Sequence, residues 1–385
     1  MVPEEGKTLG DVCDVTKLAG FEYTSHFDYS VGGEIIAVRS LNIKNGAFDF
    51  SDVQTIPKET SQALPRSKLR GGDIVMGYVG TIGNAAMVTE DDHLHLAPNV
   101  ALIRPKPAHH PMFVFQQVLG PNFQQQLSIL TTTTSQPALS MTNLRKAKFW
   151  LPSLPEQRKI ADILSTWDQA IEKTEALLSN ARTQKRGLMQ QLLTGKRRFP
   201  AFEGQPWKEV KLGDVVKIDW GNTSITKKSY VDSGVDAYSA AGRDGYVADA
   251  ERSGAGIVLS AIGARCGRCF WADGDWTAIK NTIVILEQPD HCDLRFLFQI
   301  VNDARFWPIS GGAQPFIGLK NARNAKVKLP PLREQRRLAE ILDTSDSLTA
   351  DLVCDITKLR TEKKALMQQL LTGKRRVKVE DHHGV

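Results

Sequence analysis

Cys266-Gly-Arg-Cys269, followed by His291 and Cys292, is the group best suited by residue type to hold a metal. A structural zinc site takes four ligands that converge tetrahedrally, and adjacent His291 and Cys292 make an awkward second pair. These residues are therefore expected as ordinary core or surface groups. Nuclease chemistry wants carboxylates and a lysine gathered around a divalent cation. Glu362-Lys363-Lys364 has that local look, but it lies on a helical stretch far along the chain from Pro289-Asp290, so it reads as a solvated helix face. The chain has no G-x-x-x-x-G-K-[ST] phosphate loop, no G-x-G-x-x-G after a strand and no G-x-S-x-G elbow. His109-His110 precede a proline in a loop, where a solvated or satisfied pair is expected. The reading is a protein with no catalytic residues and no metal site.

Binding chemistry remains. Arg66, Lys68 and Arg70 beside the Gly71-Gly72 turn, and Lys227-Lys228-Ser229-Tyr230, offer cations to phosphates, although each taken alone is also an ordinary solvated loop. The stretch from Tyr238 and Ser239 through Arg243 to Tyr246 is richer. Its small residues let backbone approach a groove while Tyr, Ser and Arg supply donors. Thr131, Thr132, Thr133, Thr134 and Ser135 have a similar character, and Tyr78 opens the glycine-punctuated Tyr78-Val-Gly-Thr-Ile-Gly. Against double-stranded DNA, Arg243, Arg265 or Arg268 could make bidentate contacts to guanine; spacing does not rank them.

The elements that carry these residues are organised by a repeat. Residues 136–198 align with 314–376 at a constant offset of 178 without gaps, and 31 of the 63 positions are identical. The match runs from Gln136-Pro137 opposite Gln314-Pro315, through LPSLPEQRKIADIL opposite LPPLREQRRLAEIL, to a shared QQLLTGKRR. Upstream only Leu9–Val12 and Leu212–Val215 still correspond, so two divergent segments alternate with two matching ones.

The matching segments read as helices. Ile160, Leu164, Trp167, Ile171, Thr174, Leu178, Ala181, Lys185, Leu188 and Leu192 recur at alternating steps of four and three. Leu338, Leu342, Ser345, Thr349, Leu352, Ile356, Leu359, Lys363, Leu366 and Leu370 fall on the same frame. Each seam is roughly 48 Å long at the usual rise per residue. Both place a lysine at the same seam position, Lys185 and Lys363, which costs stability and tends to fix register and partner number. Glu156 suits the positive end of the first helix, and Gly195 and Gly373 suit left-handed helix stops. The divergent segments read as mixed α/β, with strands at Asp73–Gly77, Val100–Ile103 and Thr282–Leu286 and short helices at Phe113–Leu119 and Leu294–Val301.

Composition sets the bounds. A chain of 385 residues that is 41% hydrophobic and 24% charged is that of a globular protein of two or three domains. It carries no signal-peptide pattern and no membrane-spanning run, so a cytoplasmic location is expected. Five cysteines do not suggest a disulfide framework. The net charge of +6 divides as −1 over residues 1–150, +4 over 151–200, +1 over 201–328 and +2 over 329–385. Nucleic-acid binding by either divergent segment must therefore use a local basic face.

The two-copy layout, the L-P-x-L-x-E-Q-R motifs and the paired LMQQLLTGKRR helix ends resemble the specificity subunits of type I restriction-modification systems, over nearly the whole chain. The Gln-Pro junctions and Gly80-Thr-Ile-Gly83 are also similar; the start of the first domain departs, since Leu9-Gly-Asp lacks the aromatic lead-in that Trp207 gives the second copy. The resemblance implies an α+β protein with pseudo-twofold symmetry. Target recognition domains would occupy 1–150 and 201–328, antiparallel coiled-coil helices 151–200 and 329–376, and a tail 377–385. It implies double-stranded DNA as ligand, each domain reading one half of a bipartite asymmetric target, with the helices as spacer. It further implies no cofactor in this subunit: S-adenosylmethionine belongs to two modification subunits, and ATP and Mg to restriction subunits bound through them. The alternative is a coiled-coil scaffold whose divergent segments bind proteins. Lys196, Arg197, Arg198 and their copies Lys374, Arg375, Arg376 are expected near phosphates or the partner subunit, outside base readout.

Overall fold

The computed structural model describes residues 6–20, 29–30, 32–44, 46–91, 93–131, 137–288, 290–312 and 314–379. Two units emerge from it. One comprises Met1–Glu175 with Cys354–Val385, and the other Ala176–Val353. Two 39-residue helices, Leu154–Leu192 and Leu332–Leu370, each give one half to each unit.

In unit 1 the main sheet runs Cys13–Lys17, Val100–Pro105, Ile74–Gly77, Ala85–Met87, with every neighbour antiparallel. A second sheet holds Gln54–Ile56, Ile35–Val38 and Leu94–Leu96, the last pair parallel. Unit 2 repeats the plan with unrelated residues. Its main sheet runs Val216–Trp220, Thr282–Glu287, Gly256–Ser260, Cys269–Ala272, and in its second sheet Val235–Ser239 lies parallel to Asp275–Ala278. The central strands read as unbroken apolar runs because they are covered on both faces: Val100 to Ile103 and Ile257 to Leu259 are all at most 2% exposed.

One short helix per domain carries the sheet to the long helices. It spans Pro111–Leu119 in unit 1, with proline at its first turn where no N–H is needed, and Leu294–Val301 in unit 2, where the Asp293 carboxylate accepts the Phe296 N–H at 2.8 Å. Phe113 packs among Ile160, Leu164, Met367 and Leu370, and Phe296 among Leu192, Leu338 and Ala339. Both rings are fully buried, each contributing roughly 2–3 kcal/mol of transfer free energy.

The L-P-x-L-x-E-Q-R motif explains itself at this junction. Gln157 accepts the His110 N–H at 3.0 Å and donates to the Pro152 carbonyl at 2.9 Å. Gln335 accepts the Asp293 N–H at 2.9 Å and donates to the Pro330 carbonyl at 2.9 Å. The glutamine therefore pegs the start of the domain helix to the long helix. Glu156 receives Arg376 at 2.8 and 2.7 Å, and Glu334 receives Arg198 at 3.0 and 2.6 Å. These bidentate pairs correct the expectation for the last cation of each QQLLTGKRR: Arg198 and Arg376 bind the chain's own buried carboxylates. Lys196, Arg197, Lys374 and Arg375 remain exposed.

Gly195 and Gly373 stop the helices at φ of 70° and 71°. Each is covered by an indole, Trp207 in unit 2 and Trp150 in unit 1. The aromatic missing ahead of Leu9 is thus supplied by Trp150, which follows the other strand of the small ribbon that pairs Lys7-Thr8 with Lys148-Phe149.

Within each unit the helix halves are antiparallel, since rising numbers on one meet falling numbers on the other. Asp168 pairs with Lys363 and Glu175 with Arg360 in unit 1, while Lys185 pairs with Asp346 in unit 2. Seam residues Ile160, Leu164, Leu178, Leu192, Leu338, Leu342, Ile356 and Leu370 are buried, and Trp167, Ile171, Leu188, Leu352, Leu359 and Leu366 are half-buried. Among the described residues no helix is long and apolar enough to cross a membrane.

Candidate nucleic-acid interface

The two domains build the same backbone floor from different residues. The Asn99 carbonyl accepts the Tyr78 N–H at 3.2 Å, and the Asn281 carbonyl accepts the Ala261 N–H at 3.1 Å. Gly80 donates to Pro137 and Gly263 to Pro315, both at 3.0 Å; Leu139 donates to Tyr78 and Ile317 to Ala261, both at 2.9 Å. Asn99 and Asn281 adopt φ of 66° and 72°, the left-handed turn that asparagine tolerates, immediately before a central strand. The prolines of the repeat, Pro137 and Pro315, close one side of each floor.

A cleft opens over each floor. In unit 1 it encloses about 720 Å³ between Arg39, Ser40, Lys44, Gly80, Thr81 and Asn99. In unit 2 it encloses about 530 Å³ between Lys227, Ser239, Ala241, Arg265, Lys280 and Asn281. Each cleft combines cations, backbone and small polar groups, and an apolar rim. Exposed Tyr29 and Leu41 line the first; exposed Phe316, stacked on Trp220, bridges to Ile262 of the second. Cations serve phosphates, and donors with apolar contacts serve base edges and thymine methyls.

Side chains here are held in place before any ligand arrives. The Asp244 carboxylate accepts from Lys227, from the Tyr230 hydroxyl at 2.6 Å and from the Ser239 hydroxyl at 2.7 Å. Burial alone would raise its pKa, and these bonds outweigh burial to leave it below the usual range. Arg265 donates to the Ala241 carbonyl at 2.7 Å. In unit 1 the fully buried Asn42 donates to the Asp49 and Asp52 carbonyls at 3.0 and 2.7 Å, strapping the loop beside Arg39, Ser40 and Leu41.

The structure sorts the sequence candidates. Lys227, Ser239 and Arg265 meet in the second cleft. Lys228 and Arg268 are exposed on neighbouring loops, while Arg243, paired with Asp236 at 2.8 Å, and Tyr246 lie on the adjoining hairpin strand. Tyr238 is turned inward: 6% exposed, it stacks edge-to-face on Trp276 and donates to the Trp271 carbonyl at 3.2 Å, which removes it from the groups offered to a ligand. In unit 1 Tyr78 adjoins Val79 of the cleft and lies under the Lys17 ammonium at 5.5 Å. Arg66 lines a separate hollow of about 460 Å³ with Arg104 and Arg145. The Lys68 carbonyl accepts from Arg104 at 3.1 Å, and the Arg70 N–H donates to Asp73 at 2.8 Å, so this trio is not gathered in the cleft. Thr132, Thr133, Thr134 and Ser135 lie outside the described residues. Sequence reasoning missed Arg39, Lys44 and Lys280, together with the paired asparagines. The available signal was an asparagine directly before each apolar strand.

Cys266, Cys269 and Cys292 belong to the core. The Cys266 and Cys269 thiols donate to the Ala261 and Val301 carbonyls, both at 3.3 Å, and burial pushes Cys292 up to about 12. Among the described residues no three His, Cys, Asp or Glu side chains gather as metal ligands do.

The family described as "Type I restriction modification DNA specificity domain" matches residues 1–179 and 204–358. The chain is 30% identical over 179 residues to the type I restriction enzyme EcoBI specificity subunit of Escherichia coli, an alignment covering 46% of this chain and 36% of that subunit. It is 28% identical over 296 residues to the MjaVIII specificity subunit of Methanocaldococcus jannaschii, covering 64% and 67%. The chain thus spans about a third of the E. coli relative and two thirds of the archaeal one. The S subunit from M. genitalium has the same fold, with a TM-score of 0.68 over 96% of both chains at 16% identity. A chain of a type I R-M system solved for its complex assembly and conformational transition follows at 0.58, covering 97% of this chain and all of that one at 20% identity. The family model covers well over half of the chain, including both domains and most of both long helices, and the chain therefore belongs to the type I restriction-modification DNA specificity family.

Proposed function

We propose that each cleft reads one half of a split, asymmetric sequence in double-stranded DNA. The observation that carries this is the pair of matching backbone floors bearing different side chains: one scaffold presents two different sets of donors to one polymer. The long helices set the number of unread base pairs. They also offer near-equivalent surfaces to two modification subunits, and through those to the restriction subunits. Adenine methylation with S-adenosylmethionine, and ATP- and Mg-dependent cleavage, belong to those partners; this subunit selects where they act, in the cytoplasm. Co-expression with the cognate modification subunit, followed by genome-wide mapping of methylated adenine, tests the reading. One split asymmetric motif is expected, and a continuous or palindromic motif would contradict it.

A further inference from the structure

Lys185 and Lys363 are the least economical residues in the seams. Their side chains are only 21% and 12% exposed, at positions where leucine would pack without loss of hydration. Each ammonium meets a carboxylate on the other long helix, Asp346 in unit 2 and Asp168 in unit 1. The second oxygen of each carboxylate is also engaged, and by the recognition domain. Gln116 of the helix Pro111–Leu119 donates to Asp168 Oδ2 at 2.7 Å, and Gln299 of the helix Leu294–Val301 donates to Asp346 Oδ2 at 3.0 Å. The glutamines are equivalent. Each lies six residues after the backbone N–H, His110 or Asp293, that the motif glutamine pegs.

One carboxylate therefore joins three elements: its own helix, the antiparallel helix and the domain. Gln116 is fully buried and its carbonyl oxygen has no partner; apart from a long contact to Met112 Sδ at 3.9 Å, the bond to Asp168 is what its amide makes there. Sliding one long helix by a turn, roughly 5.4 Å, would strand the lysine and reopen the bond to the domain. Ordinary core packing would not need this arrangement twice.

We infer that Gln116, Asp168 and Lys363, and their equivalents Gln299, Asp346 and Lys185, are positioning residues that lock each recognition domain to one register of the helix pair and so select the spacer length. The inference rests on the DNA reading proposed above. One added base pair moves a half-site by about 3.4 Å and turns it by about 34°, so a domain free to shift would accept neighbouring spacers.

The test uses the complex of this chain with its modification subunit. Duplexes carry both half-sites at the native spacer, one base pair longer and one shorter. The wild-type complex is expected to methylate the native spacer about tenfold faster or more, a difference of about 1.4 kcal/mol. Lys363→Met is expected to erase most of that preference while leaving both half-site sequences unchanged. The exchange Lys363→Asp with Asp168→Lys should restore it, because the Gln116 amide can turn to accept from a lysine. Should Lys363→Met fail to fold, Gln116→Leu decides, since it leaves the ion pair whole; it too should broaden the spacer profile. Folded variants that keep the wild-type profile would overturn the inference. A wild-type complex that recognises no split motif would instead sink the DNA reading beneath it.

Discussion

Replacing Gln335 by leucine should loosen the second recognition domain from the long helix. The side chain is 2% exposed and makes two bonds of 2.9 Å, accepting from the Asp293 N–H and donating to the Pro330 carbonyl. Leucine fills a similar volume but leaves a donor and an acceptor unpaired at a site with little access to water. Each unsatisfied group costs about 1–3 kcal/mol, so a loss of about 3 kcal/mol is expected after partial relaxation. For a unit of this size that lowers the melting temperature by about 6–12 °C. Differential scanning calorimetry of the purified complex measures it, with Gln157→Leu as the counterpart in unit 1. Hydrogen exchange adds the location: amides of Leu294–Val301 should exchange faster while those of Pro111–Leu119 stay as they were. A loss under about 1 kcal/mol, with unchanged exchange at Leu294–Val301, would refute the assignment of this glutamine as a peg.

The Arg376 guanidinium, helped by Ser153, holds the Glu156 carboxyl below its ordinary value, so the pair stabilises the fold above the unfolded glutamate pKa and is lost as pH falls through the folded value. Glu156→Gln should therefore be less stable at neutral pH and show a shallower acid limb in a stability-against-pH series; parallel curves would contradict this. Arg265→Ala should weaken discrimination at the half-site read by the second domain by about 1–3 kcal/mol and leave the other half untouched, as binding to single-base variants would show. Removing seven residues from each long helix, between Asp168 and Lys185 and between Asp346 and Lys363, keeps both lysine–aspartate pairs. It should shorten the spacer by about three base pairs with both half-sites retained. Altered half-sites would argue against the helices as a ruler.

The helices were legible in the sequence because their information is local and repeated. A seam of period 3.5 and a constant offset of 178 locate both long helices and single out Lys185 and Lys363. The partners of those lysines were not legible: Asp168 and Asp346 fall one place past the seam and look like solvated acids until the antiparallel register brings them across. Glu156 reads as a first-turn acid favourable to the dipole, and Gln157 as the next residue of the motif. Their further roles depend on Arg376, 220 positions away, and on the backbone of His110. The clefts were the least visible, because the parallel pairing of Ile36 with Leu94 and of Ala237 with Thr277 joins distant stretches, and the left-handed turns at Asn99 and Asn281 carry no pattern beyond one residue. Tyr238 illustrates the limit: Tyr-Ser-Ala-Ala-Gly-Arg suggests donors offered to a groove, yet Trp276 supplies the surface that buries the Tyr238 ring.

The central claim, that each domain reads its own half-site, is tested most directly by exchanging residues 201–328 for the corresponding domain of a relative with a known target and mapping methylated adenine genome-wide. The account predicts a split motif in which one half is replaced by the relative's and the other half and the spacer stay as in the parent. A change in both halves, or in neither, would contradict it.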